Sequence, residues 1–467
     1  MKKYSIVKII SIASLPLLFQ ACFVAKTYER PELETESLFR TDNISQDSVS
    51  FASVSYQDLF TDPYLNGYIQ KGLENNLDIR VALQNIAAAE AYVRQGKAGY
   101  LPTLDVSGTF NRTARNSENG QFGNLFAQPF EQYELSGTLA WEADVWGKIR
   151  SGKRANDAAY LQTVAAHRAV KTNLVAQIAS NYYLLLALDE QLKVTEETIG
   201  TRSKSLETIE ALKQAGRENQ VGVDRIAAQL YNAQSLQLDI KNNIFKTENA
   251  LSILLGEQPQ SYERGSLDEQ ELNREMKIGV PALLLRNRPD VIQAEYGLIN
   301  SFELTNVAKS NFYPSITLSA TAGFQSLELD NWIDSSSIFA NLMAGLTQPL
   351  LNGRRIRTAY EVAKAQQEES LLLFKKTLLT AGKEVSEALN DYSISMEKEV
   401  FIKQEAEALR RAETNSQELL NNGFATYLDL LTARENALNA ELSLIDNRLD
   451  QLSATIELYR SLGGGWE

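Results

Sequence analysis

The sequence has one cysteine, Cys22, and one histidine, His167, among its 467 residues. A single cysteine excludes a disulfide framework, and so few nitrogen and sulfur ligands exclude a zinc or similar transition-metal site. The sequence also lacks a phosphate-binding loop, a nucleophile elbow, an HExxH motif and a Cys–His pair. We therefore expect no bound metal, no cofactor and no enzymatic activity.

Basic residues are in the minority, with 46 Lys and Arg against 59 Asp and Glu, for a net charge of −13. This balance, without basic clusters, argues against a nucleic-acid partner. Past the N-terminus, the longest apolar run in a helix-like stretch is 182–188, far short of the ~20 residues that a membrane-spanning helix needs. These absences leave an acidic, folded protein that is not a helical membrane protein.

The N-terminal sequence is typical of an export signal. Lys2 and Lys3 precede a mostly apolar stretch at 4–19, and Ala21 and Cys22 follow it, which predicts a signal peptide over 1–21. The cysteine lies where a bacterial lipoprotein signal places the residue that is acylated and becomes the new N-terminus. Residue 23 is not the aspartate that retains lipoproteins in the inner membrane. The alternative is an ordinary signal with a cysteine nearby.

Internal similarity indicates that the sequence contains two copies of one repeat. The stretch 97–104 resembles 309–316, and 144–150 resembles 350–357, with Gly147 set against Gly353. Two further pairs, 215–216 with 422–423 and 255–256 with 462–463, recur 207 residues apart. Four matches in the same order at nearly the same offset indicate two structural copies.

Each copy contains the same series of elements. A first helix, predicted over about 65–99 and again over about 289–311, is followed by two strands, a very long helix, a Gly-marked turn and a returning helix. No proline occurs between Pro129 and Pro259 or after Pro349, as uninterrupted helices require. The stretch 355–421 would form about 100 Å of helix at 1.5 Å per residue, so these helices would project beyond a globular core.

Four segments alternate apolar and polar residues with a period of two, which is typical of outer-membrane β-barrel strands. In the first, Leu104, Val106 and Phe110 alternate with Asp105 and Ser107. A sandwich, or a sheet packed on helices, would show the same alternation. An open four-stranded sheet has edges that lipid does not tolerate, and four strands cannot close. Two, three or four chains sharing one barrel would give 8, 12 or 16 strands, and spacing does not choose among them.

Three features resemble TolC-like outer membrane factors: the duplicated plan, the lipoprotein start, and the segment 284–295, which contains the pattern Leu-Arg-x-Arg-Pro-Asp-Val as Leu285-Arg286-Asn287-Arg288-Pro289-Asp290-Val291. The resemblance is to the lipoprotein branch of the resistance-nodulation-division tripartite efflux systems, and it covers 56–463. It implies an α+β membrane protein whose duplicated unit forms, as a homotrimer, a 12-stranded outer-membrane β-barrel and a long periplasmic α-helical barrel.

The resemblance also implies the function and the partners. The trimer would be a passive exit duct through which an inner-membrane pump, docked through a periplasmic adaptor protein, expels drugs, toxic compounds or metal ions. The chain would be anchored in outer-membrane lipid at Cys22 and extend into the periplasm. Two alternatives remain: an exit duct for type I protein secretion, and a lipid-anchored structural coiled-coil protein, which the heptad-like spacing of apolar residues from Leu438 to Tyr459 would suit.

The predicted organisation divides the chain into a signal peptide, a lipidated extension, two repeats with a linker between them, and a tail. In order, these are 1–21, 22–60, 61–256 (strands about 102–115 and 131–145, hairpin about 150–256), 257–280, 281–463 (strands about 314–327 and 337–351, hairpin about 355–463) and 464–467.

The hairpin turns at Gly216 to Gly222 and at Gly423 are where the resemblance implies a periplasmic aperture. Leu428 matches a constricting leucine of lipoprotein members, Asp429 matches an aspartate lining the channel, and Asp224 is expected at the equivalent place in the first hairpin. Where some relatives carry an aspartate and an arginine that lock the tip, this chain has Thr432 and Glu435. An aspartate just after a Gly turn also predicts a helix N-cap.

The family signature residues have a structural interpretation. Pro289 is expected to begin a helix, with Arg288 before it in extended geometry. Asp290 would complement the helix dipole, and Arg286 and Arg288 would pair with nearby carboxylates. Glu295 closes the signature.

Overall fold

The computed structural model describes residues 25–32, 38–40, 54–113, 130–270 and 284–466. Cys22, the predicted signal peptide and most of the predicted N-terminal extension lie outside these ranges. The described residues form two compact units: the first takes those of 1–31, 86–162 and 294–373, and the second takes those of 32–85, 163–293 and 374–467.

In the described ranges, the helices and strands recur in the same order in the two halves, except that three helices precede the strands in the first half and two in the second. In the first half they are α1 (Tyr56–Leu59), α2 (Pro63–Asn75), α3 (Leu77–Ala98), β1 (Thr103–Thr113), β2 (Phe130–Glu142), α4 (Lys148–Gln214) and α5 (Gln220–Leu254). In the second half they are α6 (Leu284–Asn287), α7 (Pro289–Ser310), β3 (Ser315–Ser326), β4 (Ile338–Thr347), α8 (Arg355–Asn421) and α9 (Tyr427–Ser461), with short 3₁₀ turns at Leu329–Asn331 and Ser335–Ser337 between β3 and β4.

Three pairs of corresponding helices in the two halves have equal lengths. Helices α3 and α7 both have 22 residues and start 212 positions apart. Helices α4 and α8 both have 67 residues, α5 and α9 both have 35, and both pairs start 207 positions apart. The offset therefore changes between the two strands of each half, where the connecting loops differ in length.

The constant offset of 207 corrects one expected match. It places Gly147 opposite Arg354, not Gly353, one residue before the long helix in each copy. Gly147 has φ +79° and Arg354 has φ +64°, and Arg354 is the non-glycine residue with positive φ in the described chain. The backbone conformation was duplicated, but the glycine that suits it stands one position away in the second copy.

The first helix of the first copy is broken where the sequence predicted one helix. Asn76 has ψ +133°, which ends α2, and its side chain accepts hydrogen bonds from the N–H groups of Asp78 (2.8 Å) and Ile79 (3.1 Å). An asparagine that caps the next helix is a strong start signal. Asp62 caps α2 in the same manner, with Pro63 at the first helical position, which suits its fixed φ.

The four strands form one antiparallel sheet in the order β1-β2-β3-β4. Strand β1 pairs with β2 from Thr103↔Ala140 to Thr113↔Phe130, and β3 pairs with β4 from Ser315↔Thr347 to Phe324↔Ile338. The two copies meet where β2 pairs with β3. There the hydroxyls of Thr138 and Thr321 are 3.1 Å apart. Within the described sheet, β1 and β4 each have a strand on one side only.

One face of the sheet is apolar and largely uncovered. Leu104, Val106, Leu342 and Leu346 expose 67–73% of their surface, and all four lie on the face predicted from the two-residue alternation. Contiguous exposed apolar surface of this kind marks a site of contact with protein or lipid. Among the described residues, these four side chains are therefore largely uncovered.

The second unit has a buried polar network that joins distant parts of the chain. Besides capping α2, Asp62 accepts hydrogen bonds from the Tyr182 hydroxyl (2.7 Å) and the Gln270 amide (2.9 Å). Burial and this hydrogen bond to Asp62 raise the pKa of Tyr182. Buried polar groups stabilise a fold only when they are satisfied, so this network fixes the residues before Gln270 against α2 and α4.

In the described ranges, no helix is both long enough and apolar enough to cross a membrane.

Arg354→Gly should stabilise the folded protein. A left-handed conformation costs a non-glycine residue ~1–2 kcal/mol, and the greater freedom of glycine in the unfolded chain offsets ~0.5–1 kcal/mol of that. The Arg354 ion pair with Glu361, at 3.6 Å, is exposed and contributes little. We expect a small rise in the thermal unfolding midpoint, measured by circular dichroism in detergent.

Arg354→Ala is the matched control, because it removes the same ion pair but keeps a Cβ in the strained conformation. Gly147→Ala should lower the midpoint, since its Cβ would lie 3.0 Å from both the Ala25 Cβ and the Arg150 Nη2. An Arg354→Gly protein no more stable than Arg354→Ala would contradict the strain argument.

Candidate functional site

The ends of the two helical hairpins, α4–α5 and α8–α9, are built by the same local geometry. Gly216 and Gly423 have φ of +72° and +76°. Their N–H groups and those of the next residues, Arg217 and Phe424, donate to carbonyls of the helix just ended, at 2.8–3.0 Å. This is the Schellman arrangement, which only glycine adopts without strain. Gly222 differs: it lies in the first turn of α5 and lacks a positive φ.

The returning helices are capped by residues other than the expected aspartates. Asn219 accepts a hydrogen bond from Gly222 N–H (3.2 Å) at the start of α5. At the start of α9, Thr426 is the N-cap and Asp429 occupies the third helical position. The Thr426 hydroxyl accepts from Asp429 N–H while the Asp429 carboxylate accepts from Thr426 N–H (2.9 Å), which is a capping box. The prediction of an aspartate N-cap was therefore wrong in position.

Asp224 is not the equivalent of Asp429. The offset of 207 between α5 and α9 places Gly222 opposite Asp429 and Val221 opposite Leu428. Asp224 lies two residues deeper in its helix, where its carboxylate accepts a hydrogen bond from the Gln220 amide (2.7 Å). The two hairpin ends therefore share an exposed apolar position, with Val221 59% and Leu428 50% exposed, but only in the second is the next residue acidic.

Asp429 is held as an anion. Its carboxylate also accepts a hydrogen bond from the Thr426 hydroxyl (2.7 Å). This bond first, and the Thr426 N–H second, lower the pKa of Asp429 from its ordinary value. A lowered carboxyl pKa keeps the group ionised across the neutral range and into mildly acidic solution. An exposed negative charge therefore stands next to the exposed Leu428.

A small apolar core joins the two hairpins behind these exposed residues. Ile209, Val223, Ile226 and Leu431 are buried together, with Leu206, Leu212 and Tyr427 packed against them. These residues belong to α4, α5 and α9, so the position of Leu428 and Asp429 on α9 is fixed relative to the first hairpin.

Arg434 extends that junction with polar contacts. Its guanidinium donates to the Ser205 hydroxyl (2.5 Å) and to the Gln417 amide oxygen (2.7 Å), and it lies 3.4 Å from the Glu413 carboxylate. One arginine thus binds α9 to both α4 and α8. The sequence analysis missed it, because nothing in the local pattern distinguishes an arginine between two hairpins from one on a solvated face.

A second arginine is buried at the same junction. Arg202 is 4% exposed and donates to the Gln229 carbonyl (2.6 Å). Burial lowers the pKa of Arg202, although Glu435 opposes that effect. Glu435 itself accepts from the Gln229 side-chain amide (3.1 Å), and the Thr432 hydroxyl donates to the Leu428 carbonyl (3.0 Å). Glu435 and Thr432 therefore both make hydrogen bonds within this chain.

A cleft of about 700 Å³ lies between the two hairpin ends. Its lining is mainly polar and comes from α4, the first turn, α8, the second turn and α9: Thr201, Lys204, Ser205, Thr208, Leu212, Arg217, Glu218, Gln417, Leu420, Asn421, Asn422, Gly423, Tyr427 and Arg434.

The signature segment spans the short helix α6 and the start of α7. Pro289 begins α7. The buried Arg288 binds the Asp290 carboxylate (2.6 Å), the Glu384 carboxylate (2.8 Å) and the Ser461 carbonyl (3.0 Å). Arg288 therefore ties the start of α7 to α8 and to the end of α9.

The other two signature residues are placed separately. Arg286 is exposed within α6. Glu295 accepts two hydrogen bonds, at 2.6 and 2.7 Å, from the guanidinium of Arg30. This bidentate pair fixes the N-terminal segment on α7, an attachment that the sequence pattern did not reveal. In the described ranges, no cluster of three or more His, Cys, Asp or Glu side chains could hold a metal ion.

The sequence matches the family described as "Outer membrane efflux protein" over residues 68–257 and 280–464. The two matched ranges contain the two structural copies apart from their outermost residues.

Two curated relatives match over nearly their whole length. The solvent efflux pump outer membrane protein SrpC of Pseudomonas putida is 28% identical over 457 residues, which cover 96% of this chain and 97% of SrpC. The cation efflux system protein CusC of Escherichia coli O6:H1 is 26% identical over 465 residues, which cover 97% of each chain.

The fold is also that of solved structures. The CmeC outer membrane channel of Campylobacter jejuni superposes with a TM-score of 0.84, covers 95% of each chain and is 22% identical. At that identity the likeness concerns the fold.

Proposed function

The chain belongs to the outer membrane efflux protein family, and from this we propose that it is the outer-membrane exit duct of a tripartite pump that expels small molecules. It has the fold of TolC-like outer membrane channels. The family consists of channels and not of enzymes, and we assign no catalytic step to this chain. The observation that carries the proposal is the duplicated unit itself, with a four-stranded sheet whose outer strands lack partners in the described chain.

A homotrimer completes such a sheet. Three copies supply 12 strands, whose apolar face, with Leu104, Val106 and Leu342, would contact lipid, while Asp105, Ser107 and Thr138 would face the lumen. A closed barrel leaves no unpaired backbone group in the hydrocarbon. We also propose that Cys22 is acylated, since it follows an export signal at the position of a lipoprotein cysteine.

The hairpin ends are the proposed aperture. Leu428 and Asp429 are exposed and held in place by the core beneath them, as a constricting side chain and a channel-lining charge need to be. In a trimer each would be present three times around the axis, and a ring of carboxylates favours cations over anions. We propose that a periplasmic adaptor protein, and through it an inner-membrane pump, works with this end of the duct.

The sensitivity of cells to expelled compounds tests the proposed function as a whole. SrpC is named for solvent efflux and CusC for cation efflux, so family membership alone does not select the compound. Deleting the gene should increase sensitivity to drugs, detergents or metal ions, and the full-length gene should restore resistance. Unchanged sensitivity together with loss of a secreted protein would instead assign the chain to type I protein secretion.

Leu318→Arg should block assembly in the outer membrane. An arginine on the lipid face of a barrel costs ~2–4 kcal/mol at the bilayer midplane, and a trimer bears it three times. The measurement is the amount of heat-resistant oligomer in outer-membrane fractions. Ser319→Arg, one residue along β3 and on the other face, is the matched control and should still assemble. Equal assembly of both variants would contradict a lipid-facing sheet.

Asp429→Asn should reduce the preference of the channel for cations. A unit charge acting over about 4 Å of water contributes about 1 kcal/mol, which corresponds to roughly a fivefold change in relative permeability. The readout is the K⁺ to Cl⁻ permeability ratio of single channels in planar bilayers. Asp239→Asn on α5 gives the same change in net charge away from the turn. An unchanged ratio in Asp429→Asn, or an equal fall in both variants, would remove Asp429 from the aperture.

A further inference from the structure

Basic residues gather where the sheet joins the helices. Four segments, each made of a connection and about two turns of the adjoining helix, meet at one end of the sheet: 92–102, 143–154, 304–314 and 348–361. All four belong to the first compact unit. Together they contain ten Lys and Arg and two Asp and Glu, a net charge of +8 in a chain whose net charge is −13. We call these four segments the basic junction.

The opposite end of the strands has the opposite charge. The connection between β1 and β2, 114–129, and the connection between β3 and β4, 327–337, together contain one basic and four acidic residues. The positive charge therefore belongs to the end of the sheet where the helices begin, and not to the sheet as a whole.

Stability of the helices does not account for these cations. Neither α4 nor α8 has an acidic residue in its first turn, although the helix dipole favours carboxylates there and opposes cations such as Arg355. Arg354 and Arg357 share the exposed Glu361, at 3.6 and 3.0 Å, and such exposed pairs contribute little. In the described ranges, no carboxylate pairs with the exposed Lys97 or Arg355. Much of the charge is thus left for a partner outside the chain.

Exposed apolar and aromatic side chains accompany the cations. Leu350 and Leu351, just before the arginines of the second copy, are 89% and 99% exposed. In the first copy Tyr100 and Trp141 are exposed, and the Trp141 indole N–H donates to the Tyr100 carbonyl (3.0 Å). Tryptophan and tyrosine prefer the boundary between hydrocarbon and water, and long cationic side chains place their charge on the water side of that boundary.

We propose that the basic junction binds the headgroups of anionic phospholipids. If the chain is the duct proposed above, on which this inference rests, the sheet lies in the bilayer and the helices leave it at the basic junction. There a phospholipid presents its phosphate to lysine and arginine side chains and its hydrocarbon to the exposed leucines and the apolar face of the sheet. Each basic residue beside an anionic membrane surface strengthens such binding by about fivefold.

The test uses the purified full-chain oligomer in detergent, titrated separately with phosphatidylglycerol and with phosphatidylcholine of the same acyl chains. Native mass spectrometry counts the bound lipids. The wild type should prefer phosphatidylglycerol, and Lys97→Gln combined with Arg355→Gln should weaken its binding by about fivefold or more while binding of phosphatidylcholine is unchanged. Glutamine at 355 removes a charge that opposes the helix dipole, so this replacement should not weaken α8.

Two controls distinguish a lipid site from general charge and from an anion site. Lys376→Gln with Arg411→Gln removes the same two residue types from exposed positions farther along α8 and should leave binding of phosphatidylglycerol unchanged. Excess inorganic phosphate should not displace the lipid, because it lacks the hydrocarbon that contacts the apolar side chains. Displacement by phosphate would make the basic junction an anion site and would overturn the lipid proposal.

The outcomes separate this inference from the proposed function. Loss of the preference for phosphatidylglycerol in Lys97→Gln with Arg355→Gln alone supports the basic junction. Equal loss in the two double variants, or no preference in a wild type that still forms heat-resistant oligomers in outer-membrane fractions, overturns the basic junction and leaves the duct intact. A wild-type chain that forms no oligomer in those fractions overturns both.

Discussion

The structure depends on the need of every backbone N–H and C=O group in an apolar environment for a hydrogen-bond partner. The described four-stranded sheet meets that need at its centre, where β2 pairs with β3, whereas among the described residues β1 and β4 are each paired on one side only. The same strands expose leucine, valine and phenylalanine side chains on one face, so water is not the natural surrounding of that face. Incomplete pairing in the described sheet and its uncovered apolar face together support the proposed assembly of several copies around one barrel.

The chain meets this constraint with one helix–strand unit that occurs twice. The equal lengths of the helices in the two copies show that the backbone plan was preserved through both long helices. The copies differ in the single residues that accept hydrogen bonds at the helix starts. Asp144 accepts hydrogen bonds from the N–H groups of Ile149 and Arg150 at the start of α4, whereas its counterpart before α8 is Leu351, which is 99% exposed. The capping box of Thr426 and Asp429 likewise has only Asn219 and Gly222 opposite it.

Much of the fold could be predicted from the sequence because the relevant signals are local. Proline-free stretches predicted both long helices, the two-residue period predicted four strands, and Gly216 and Gly423 predicted the turns between helices. The candidate site was predicted less completely. Asp429 was placed at the turn, but it was predicted to be the N-cap and instead occupies the third helical position. Asp224 was matched to Asp429, although the starts of α5 and α9 align Asp429 with Gly222, two residues earlier. The contacts of Arg434 and Arg202 were not foreseen.

The sequence by itself determined which segments are helices and strands, that they occur twice, and which family they belong to, because periodicity, glycine, proline and repeated motifs act over short distances along the chain. Only the tertiary structure decided which polar residues are buried. Arg434 meets Ser205 across more than two hundred positions, Arg288 meets Ser461, and Asp62 meets Gln270. Such partners are selected by how helices pack, and the packing of two hairpins depends on all of their side chains at once.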